Sequence, residues 1–544
     1  MLKTILTLLV LTTTAAHASS PHWIPTPDPT PARITLRLHP HPTPSCTPSA
    51  IQSMVEAVSF PSSSSYGNHF SLAQMRARCG LSPSVVSSIL SAVPDAYLER
   101  TSTLGDALYV SVSARVVEEE WGGVLRTYTR VGRKSGSSPS LVRSQVEVGV
   151  PAVWSPYVVW ISGLDDFPPP RQMLEGNDGK NPFPGIDVTP EVIRNLYKIT
   201  YPSTYASRSL NVSQAIAEFE DAYAFPADLA IFLAQNNLPP APVPTVVGKL
   251  PKPSKGYYAE YSLDQEFIVG IGQGVNTWAF YLDAFDLIEW AELVLKTAAA
   301  NSSFVPTVQS ISWGSGEQEI PQTQAQETST TFGKMAAMGY TLICASGDQG
   351  TGKTGVFDCK SFSPTFPASI TYCTSVGATF LEPTQTPPEQ AVSFSGGGFS
   401  TYFDRPSWQD TAVSSYLASG VTLPDSKYYN ANGAGIPDVS ALGTNFQIVV
   451  QNYTGPISGT SAATPTFAAA ISLINTHRVA AGNPPLGFIS PLLYSASASS
   501  AWNDITVGDN KVFGCDRGFK ATHGWDPISG LGSFHFPSLL SALD

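Results

Sequence analysis

Alternating strand and helix patterns between residues 262 and 451 place the strongest limit on how this chain can fold. Helical patterns occupy 262–272 and 283–300. Short apolar runs typical of buried strands occur at 308–314, 340–348, 375–381 and 446–451. Such alternation predicts an α/β fold, in which a mostly parallel sheet has helices on both faces.

The first 18 residues have the composition of a secretory signal peptide. Lys3 precedes a short, mostly apolar stretch, and an A-x-A sequence follows at residues 16–18. The stretch is too short to span a bilayer, and no later segment contains 18 uninterrupted apolar residues. We therefore expect a secreted, extracellular protein with no membrane partner. A vacuolar or lysosomal destination fits the same signal.

Composition divides the rest of the chain into a pro-domain and a larger domain. Residues 19–184 are expected to form an α+β pro-domain that ends in a Pro- and Gly-rich linker, and residues 185–544 form the larger domain. Helical and strand patterns within the pro-domain lie at 71–79, 82–93 and 107–117. The formal charge is +1 up to residue 184 and −13 beyond it. A pro-segment bound to the larger domain fits this asymmetry, as do two unrelated domains.

The overall charge also limits the partners of the chain. It is −12 at neutral pH, and the pI is about 5.2. Because nucleic acids and anionic membranes are themselves negative, neither is an expected partner.

The segment GPISGTSAATP, residues 455–465, places Ser461 at the start of a long apolar run. A serine hydroxyl is a poor nucleophile until a base removes its proton. Of the eight histidines, five precede residue 185, and the other three follow Ser461. His477 lies roughly 24 Å along the same predicted helix, at 1.5 Å per residue, so it cannot be the base. His523 and His535 lie in a separate Gly-rich segment.

Two carboxylates can take the place of the missing histidine. Glu260 and Asp264 are four residues apart in a helical pattern, which puts their Cβ atoms about 5–6 Å apart on one face. Because their negative charges repel, such a pair tends to share one proton. It can accept the serine proton only where it is partly ionised, which means at acidic pH. Asp348 follows an apolar strand, at the edge where open α/β sheets bind ligands. A desolvated aspartic acid there could donate a hydrogen bond to an oxyanion. The alternative for Glu260 and Asp264 is an ordinary pair of acidic residues on an exposed helix. The alternative for Asp348 is an Asx turn.

Together these segments resemble the sedolisin family of serine-carboxyl peptidases, most closely its tripeptidyl peptidases. The shared motifs run along nearly the whole chain and include YGNHFSLAQMRARCGLSPSVVSSIL, AEYSLDQEF, SISWGSGEQE, SGDQGTG, FSGGGFSTYFDRPSWQ and SGTSAATPTFAAAISLINTHR. The resemblance implies a subtilisin-like fold with Ser461 as the nucleophile. It makes Glu260 the general base and then acid, Asp264 the residue that orients Glu260, and Asp348 the oxyanion donor.

The implied function is a secreted zymogen of an acid-active peptidase. Its pro-segment would be removed autocatalytically between about residues 178 and 188. The active enzyme would release tripeptides from the free N-termini of peptides and proteins, and an acid endopeptidase is the alternative. A carboxylate base suits an operating pH of about 3–5.

The family's structural calcium site maps onto the C-terminal segment. The resemblance implies one Ca²⁺ ion bound by two carboxylates and three backbone carbonyls, contributed by Asp504, Ile505, Thr522, Gly524 and Asp526. These are the hard oxygen ligands that Ca²⁺ prefers. Thr522 stands where the family has glycine, and ordinary loop capping is the alternative explanation of these turns.

The cysteines fit a secreted chain, in which disulfides can form. Cys46 and Cys79 are expected to pair in the pro-region. Three pairings are open among the remaining four, Cys344, Cys359, Cys373 and Cys515. The resemblance favours Cys359 with Cys373, and Cys344 is then expected to be a buried free thiol.

Other features are also compatible with a secreted peptidase. N-glycosylation sequons begin at Asn211, Asn301 and Asn452. By resemblance, residues 312–314 and 395–400 line the substrate cleft. Glu317 is a candidate for holding a substrate amine, with a solvated surface carboxylate as the alternative.

Overall fold

The computed structural model describes residues 23–130, 140–168, 185–201, 212–251, 258–300, 305–352, 361–382, 384, 389–495, 498–511 and 516–543. The predicted signal peptide, most of the predicted processing segment, and Asn211, Asn301, Cys359 and Cys515 lie outside these residues. The chain forms two compact units, one of Met1–His41 with Leu81–Phe167 and one of Pro42–Gly80 with Pro168–Asp544.

The α-helices in the described residues are α1 (Pro48–Ser59), α2 (Leu72–Cys79), α3 (Pro83–Ser91), α4 (Pro190–Tyr197), α5 (Pro226–Gln235), α6 (Ala259–Ile271), α7 (Leu287–Ala300), α8 (Gln322–Ala337), α9 (Asp410–Leu417), α10 (Thr460–Ala480), α11 (Ser490–Leu493) and α12 (Phe536–Leu543).

The strands are β1 (Trp23–Pro25), β2 (Arg33–Pro40), β3 (Tyr97–Thr101), β4 (Leu108–Ser113), β5 (Leu125–Arg130), β6 (Leu141–Ser144), β7 (Val158–Ser162), β8 (Ser213–Phe219), β9 (Thr245–Val247), β10 (Asn276–Leu282), β11 (Val308–Ile311), β12 (Ser315–Gly316), β13 (Thr341–Ala345), β14 (Thr365–Phe366), β15 (Thr374–Leu381), β16 (Glu389–Ala391), β17 (Gly398–Asp404), β18 (Gly433–Ile436), β19 (Val439–Leu442), β20 (Phe446–Val450), β21 (Tyr453–Ile457), β22 (Trp502–Asn503) and β23 (Ser533–Phe534).

The first unit is an α+β arrangement built on an antiparallel sheet in the order β3-β4-β2-β7. Helix α3 begins as its sequence indicates, because Ser82 accepts a hydrogen bond from the Val85 N–H and Pro83 takes the first helical position. The strand predicted at 107–117 ends at Ser113, and the chain then makes a short π-helix at Val116–Glu120. The side chains of Val116 and Val117 enter the core of this unit from that turn.

The segment Pro42–Gly80 belongs to the second unit, although it lies within the predicted pro-domain. It contains α1 and α2 and is closed by the predicted Cys46–Cys79 disulfide. Helix α1 packs on α8 at Gly333, where an added Cβ would lie 2.6 Å from Cγ2 of Ile51. The pro-domain boundary at residues 184 and 185 stays a prediction.

The second unit is built on a ten-stranded sheet in the described residues. Its order is β22-β23-β19-β15-β13-β11-β8-β10-β9, and β16 pairs with β15. All neighbours from β23 to β9 are parallel, whereas β16 and β22 pair antiparallel at their positions. The α/β prediction with a mostly parallel sheet is confirmed. The run 446–451 was also predicted to be a buried strand of the α/β domain. It forms β20, which lies outside the large sheet and pairs antiparallel with β21 in a separate hairpin.

Helices α6 and α10 form the interior of this unit and pack against each other. The α6 side chains from Glu260 to Ile271 are all buried, as are those of α10 from Thr460 to Thr476. Such helices lack a solvent-exposed face because neighbouring protein surrounds them. None of the helices in the described part of the chain is long and apolar enough to cross a bilayer.

The disulfide prediction for the larger domain is wrong. Cys344 pairs with Cys373, with their Cα atoms 6.1 Å apart, so Cys344 is not a free thiol. Cys344 lies in β13, and Cys373 directly precedes β15. These strands are parallel neighbours, and Cys344 is in register with Ser375. The pairing depends on which strands are neighbours in the sheet. The resemblance in sequence that favoured Cys359 with Cys373 does not contain this strand order.

Candidate active site

Three neighbouring parallel strands bring polar residues to one edge of the sheet. Glu218 lies at the carboxyl end of β8, Ser312 follows β11, and Asp348 follows β13. These strands are adjacent in the order β13-β11-β8. Because the carboxyl ends of parallel strands meet at one edge, residues separated by more than 100 positions face the same space.

Helix α10 brings Ser461 to this edge as its second residue. Its first residue is tied to the end of β13: the hydroxyl of Thr460 accepts from the Gly347 N–H at 3.1 Å. Ser461 is 6% exposed, and its Oγ donates to the Ser312 carbonyl at 3.3 Å. The serine is therefore held near the sheet edge but retains access to the surface.

The predicted carboxylate pair lies on one helix, as its spacing indicates. Glu260 is in the first turn of α6, and Asp264 is one turn further; both are buried. The Ser312 hydroxyl donates to Oδ1 of Asp264 at 2.8 Å. Ser312 thus contacts both the candidate nucleophile and Asp264 of the carboxylate pair.

Glu218 adds a third carboxylate that the sequence analysis missed. It is fully buried at the end of β8, and the Trp313 indole N–H donates to its Oε2 at 3.3 Å. Burial and the nearby Glu260 raise the pKa of Glu218 well above its usual range. Burial, Glu218 and Glu260 together raise the pKa of Asp264 in the same direction. The signal in the sequence was an acidic residue inside the otherwise uncharged strand SQAIAEF.

Replacing Glu218 tests whether this carboxyl group is neutral when the base titrates. Burial and the nearby Glu260 raise the pKa of Glu218, so it is protonated at acidic pH and Gln imitates its neutral form. The acidic limb of the pH profile of kcat/KM should therefore stay in place in Glu218→Gln. A pH profile measured on the variant checks this, and an acidic limb moved to lower pH would show that Glu218 is already ionised when the base titrates.

Asp348 lies beside the serine turn and is nearly fully buried. Its Oδ1 accepts from the backbone N–H of Thr460 at 2.6 Å and from the Thr460 hydroxyl at 2.9 Å. Its Oδ2 lies 3.1 Å from the place where a Cβ on Gly459 would be. One oxygen is thus fixed by the start of α10, and the other faces the turn that precedes Ser461.

Glu317 is buried, so the surface alternative is wrong. Its carboxylate accepts from the Ser400 hydroxyl at 2.5 Å, from the Thr401 N–H at 2.7 Å and from the Thr401 hydroxyl at 2.6 Å. These bonds attach the short helix at Glu317–Glu319 to β17. A role in holding a substrate amine stays a prediction, and it requires the amine to compete with these donors.

The five predicted calcium ligands lie around one loop. Asp526 is fully buried and accepts from the Thr522 N–H at 3.1 Å, while the Gly524 N–H donates to Asp504 at 3.2 Å. The loop that carries two predicted carbonyl ligands therefore lies between the two carboxylates. Ile505, the fifth, is buried next to Asp504.

Comparison with known proteins identifies the family of the chain. The family described as Pro-kumamolisin, activation domain, matches residues 25–167, and the Subtilase family matches residues 285–485. Tripeptidyl-peptidase 1 from Homo sapiens is 35% identical over 518 residues, which cover 91% of this chain and 89% of that protein. The chain belongs to the sedolisin family. Tripeptidyl-peptidase 1 from Mus musculus is also 35% identical, over 509 residues with the same coverage.

A sedolisin structure supports the fold. The Pseudomonas sedolisin (serine-carboxyl proteinase), complexed with two molecules of pseudo-iodotyrostatin, aligns with a TM-score of 0.53 at 24% identity. The alignment covers 66% of this chain and 99% of the sedolisin chain. The protein is therefore a serine peptidase of the sedolisin family, and its N-terminal activation domain makes it the zymogen of an acid serine-carboxyl peptidase.

Proposed function

We propose that the mature enzyme releases tripeptides from the free N-termini of peptides and proteins at acidic pH, with Ser461, Glu260, Asp264 and Asp348 as its catalytic residues. The observation that carries the catalytic part is the contact series from Ser461 through Ser312 to Asp264 at the sheet edge. The tripeptidyl part rests on the similarity to tripeptidyl-peptidase 1 over nine-tenths of the chain. An acid endopeptidase is the alternative.

In the proposed reaction, Glu260 accepts the Ser461 proton as Oγ attacks the peptide carbonyl. Asp264, one helical turn away, orients Glu260. Asp348 donates a hydrogen bond to the oxyanion that forms beside Gly459. Glu260 then returns its proton to the leaving amine, and a water molecule repeats the sequence to release the acyl group. Base catalysis of this kind needs Glu260 to be ionised, and donation to the oxyanion needs Asp348 to be protonated. Both requirements are fulfilled together only at acidic pH.

Two fluorogenic tripeptidyl amides, one with a free and one with an acetylated N-terminus, separate the two candidate specificities. We expect the acidified, self-processed enzyme to cleave only the free form. An exopeptidase needs the free amine because it binds that positive charge at the closed end of its cleft. Equal cleavage of both substrates would move the function to an acid endopeptidase and leave the proposed mechanism in place.

We also propose one structural Ca²⁺ ion at Asp504, Ile505, Thr522, Gly524 and Asp526. Buried carboxylates usually pair with a cation. In the described part of the chain, Asp526 accepts only N–H and O–H donors, from Thr522, Ile528 and Ser529, and has no Lys or Arg partner. A bound Ca²⁺ would supply the missing positive charge and link the 504–505 and 522–526 segments.

Chelation is therefore expected to destabilise the enzyme. At a Ca²⁺ concentration of 100 times Kd, binding contributes about 2.7 kcal/mol to the free energy of unfolding. Removing Ca²⁺ with EGTA should lower Tm by several degrees, and Asp526→Asn should abolish this dependence. Asp509→Asn, in the same segment but paired with Lys511 at 3.7 Å, is the matched control. A Tm that is unchanged by EGTA in the wild type would contradict the site.

Secretion is part of the same proposal and rests on the predicted signal peptide. Asn452 is exposed in the turn between β20 and β21, and the adjacent Tyr453 is 81% exposed. A glycosyltransferase could therefore reach this sequon on the folded protein.

A further inference from the structure

We propose that Ser312 is a positioning residue of the catalytic set, whose hydroxyl fixes Asp264 and whose backbone carbonyl holds the resting Ser461 hydroxyl. This inference rests on the proposed catalytic roles of Ser461, Glu260 and Asp264. It adds a member that lies on a different element from each of them, at the end of β11.

The hydroxyl of Ser312 is placed to set the rotamer of Asp264. It is 2.8 Å from Oδ1, a short bond to a buried carboxyl group. Ser312 is 4% exposed, so water has little access to replace this donor. With Oδ1 held by Ser312, rotation of the carboxyl group about its Cβ–Cγ bond is restricted. An orienting residue must be held in this way, because small losses of alignment at a base lower the rate steeply.

The carbonyl of Ser312 gives the Ser461 proton a resting partner. At 3.3 Å the bond is longer than a typical O–H···O bond of about 2.7–2.8 Å, so it is weak. A backbone carbonyl accepts a hydrogen bond but does not remove the proton. Ser461 is thereby kept neutral and oriented until it rotates to the base, and leaving this partner requires little energy.

The strand and the next residue hold Ser312 in place. Residues Val308 to Ile311 pair in parallel with β13, and the following Trp313 is buried with its indole bound to Glu218. Ser312 is therefore fixed on both sides along the chain. Ser312→Ala removes the hydroxyl and leaves the backbone carbonyl in place. The variant therefore separates the effect of the hydroxyl from that of the carbonyl.

The test compares Ser312→Ala with Ser312→Thr, which keeps a hydroxyl, and with Ser310→Ala. Ser310 lies on β11, two residues before Ser312, and is fully buried, but its hydroxyl has no hydrogen-bond partner among the described residues. We expect Ser312→Ala to lower kcat about 10- to 100-fold with little change in KM, as for a buried acceptor that is left without its donor. Ser310→Ala should be within twofold of the wild type, and Ser312→Thr should recover part of the loss.

A pH profile distinguishes positioning from a structural role. The Ser312 hydrogen bond lowers the pKa of Asp264, so its loss should move the acidic limb of the profile to higher pH. Wild-type kcat and an unmoved acidic limb in a folded Ser312→Ala enzyme would overturn the proposal.

A second readout keeps this inference separate from substrate specificity. Labelling of Ser461 by a fluorophosphonate needs the activated serine but no peptide cleft. We expect Ser312→Ala to label more slowly by a similar factor. Unchanged labelling would overturn the inference. Normal wild-type labelling without tripeptide release would instead count against the proposed specificity alone.

Discussion

Glu260→Gln is expected to lose at least 10³-fold in kcat/KM at pH 4 and to fail to process its own pro-segment. General base catalysis contributes about 10²–10⁴-fold, and removing one member of a catalytic set disables the others with it. Gln has nearly the same shape as Glu but cannot accept the Ser461 proton. The variant should therefore fold, stay at the precursor mass on gels after acidification, and show little hydrolysis.

Glu266→Gln is the matched control on the same helix. Glu266 is fully buried in α6, and its Oε2 accepts from the Val449 N–H at 2.9 Å. Burial raises the pKa of Glu266 well above its usual range, so the group is already neutral at pH 4 and Gln imitates it closely. We expect near-normal activity. The assignment of the base would be contradicted if the Glu260→Gln enzyme processed itself and cleaved normally while the Glu266→Gln enzyme was impaired.

The Pro42–Gly80 segment is expected to dissociate from the rest of the second unit as pH falls, because of His69. The His69 ring lies between Gly339 and Gly487, where a Cβ at either glycine would come within 3 Å of a ring nitrogen. The adjacent Phe70 N–H donates to the Ala337 carbonyl at 3.0 Å. The ring therefore occupies a narrow site made by residues of the peptidase sequence.

The electrostatics of this site oppose protonation. Burial first, and then the positive charge of Arg478, lower the pKa of His69 from 6.5 to about 4. Tyr66 and Arg478 are the other titratable groups that line the same small cavity. Burial also raises the pKa of Tyr66, so this phenol supplies no negative charge to offset a protonated ring.

The sign of the pH dependence follows from that shift. The docked state holds His69 neutral, whereas an undocked His69 binds a proton below about pH 6.5. Docking is therefore strongest above pH 6.5 and weakens as pH falls towards 4. A pKa difference from 6.5 to about 4 corresponds to roughly 300-fold in the docking equilibrium.

Hydrogen exchange in a Ser461→Ala zymogen measures this effect without catalysis. Protection of the 42–80 amides, corrected for the intrinsic pH dependence of exchange, should fall between pH 7 and pH 3.5. His69→Gln should remove most of that fall, and His41→Gln, at an exposed position, should not. Equal pH dependence in the wild type and His69→Gln would show that other groups control docking.

The sequence predicted the parts of the site that lie close together along the chain. Glu260 and Asp264 are four residues apart on a helix, and their shared face follows from helical geometry alone. The residues that join the site across the sheet were not predictable in this way. Glu218 and Ser312 meet the others only because β8 and β11 are neighbours, and strand order is a tertiary property.

The same limit explains the other differences between expectation and structure. Cys344 and Cys373 lie on adjacent parallel strands, so their pairing also depends on strand order. The 446–451 run has the apolar character of a sheet strand, but the tight turn at Gln451 and Asn452 returns it into a hairpin. The Asp228 carboxylate accepts the N–H groups of both turn residues and holds the turn from α5.

The dependence of kcat/KM on pH, measured on the self-processed enzyme with a free tripeptidyl amide from pH 2.5 to 7.5, tests the central claim most directly. If the carboxylate cluster activates Ser461, activity will peak at acidic pH and fall away before neutrality. Activity that instead rises through pH 6–7 to a neutral plateau would point to a histidine base and contradict the assignment of Glu260.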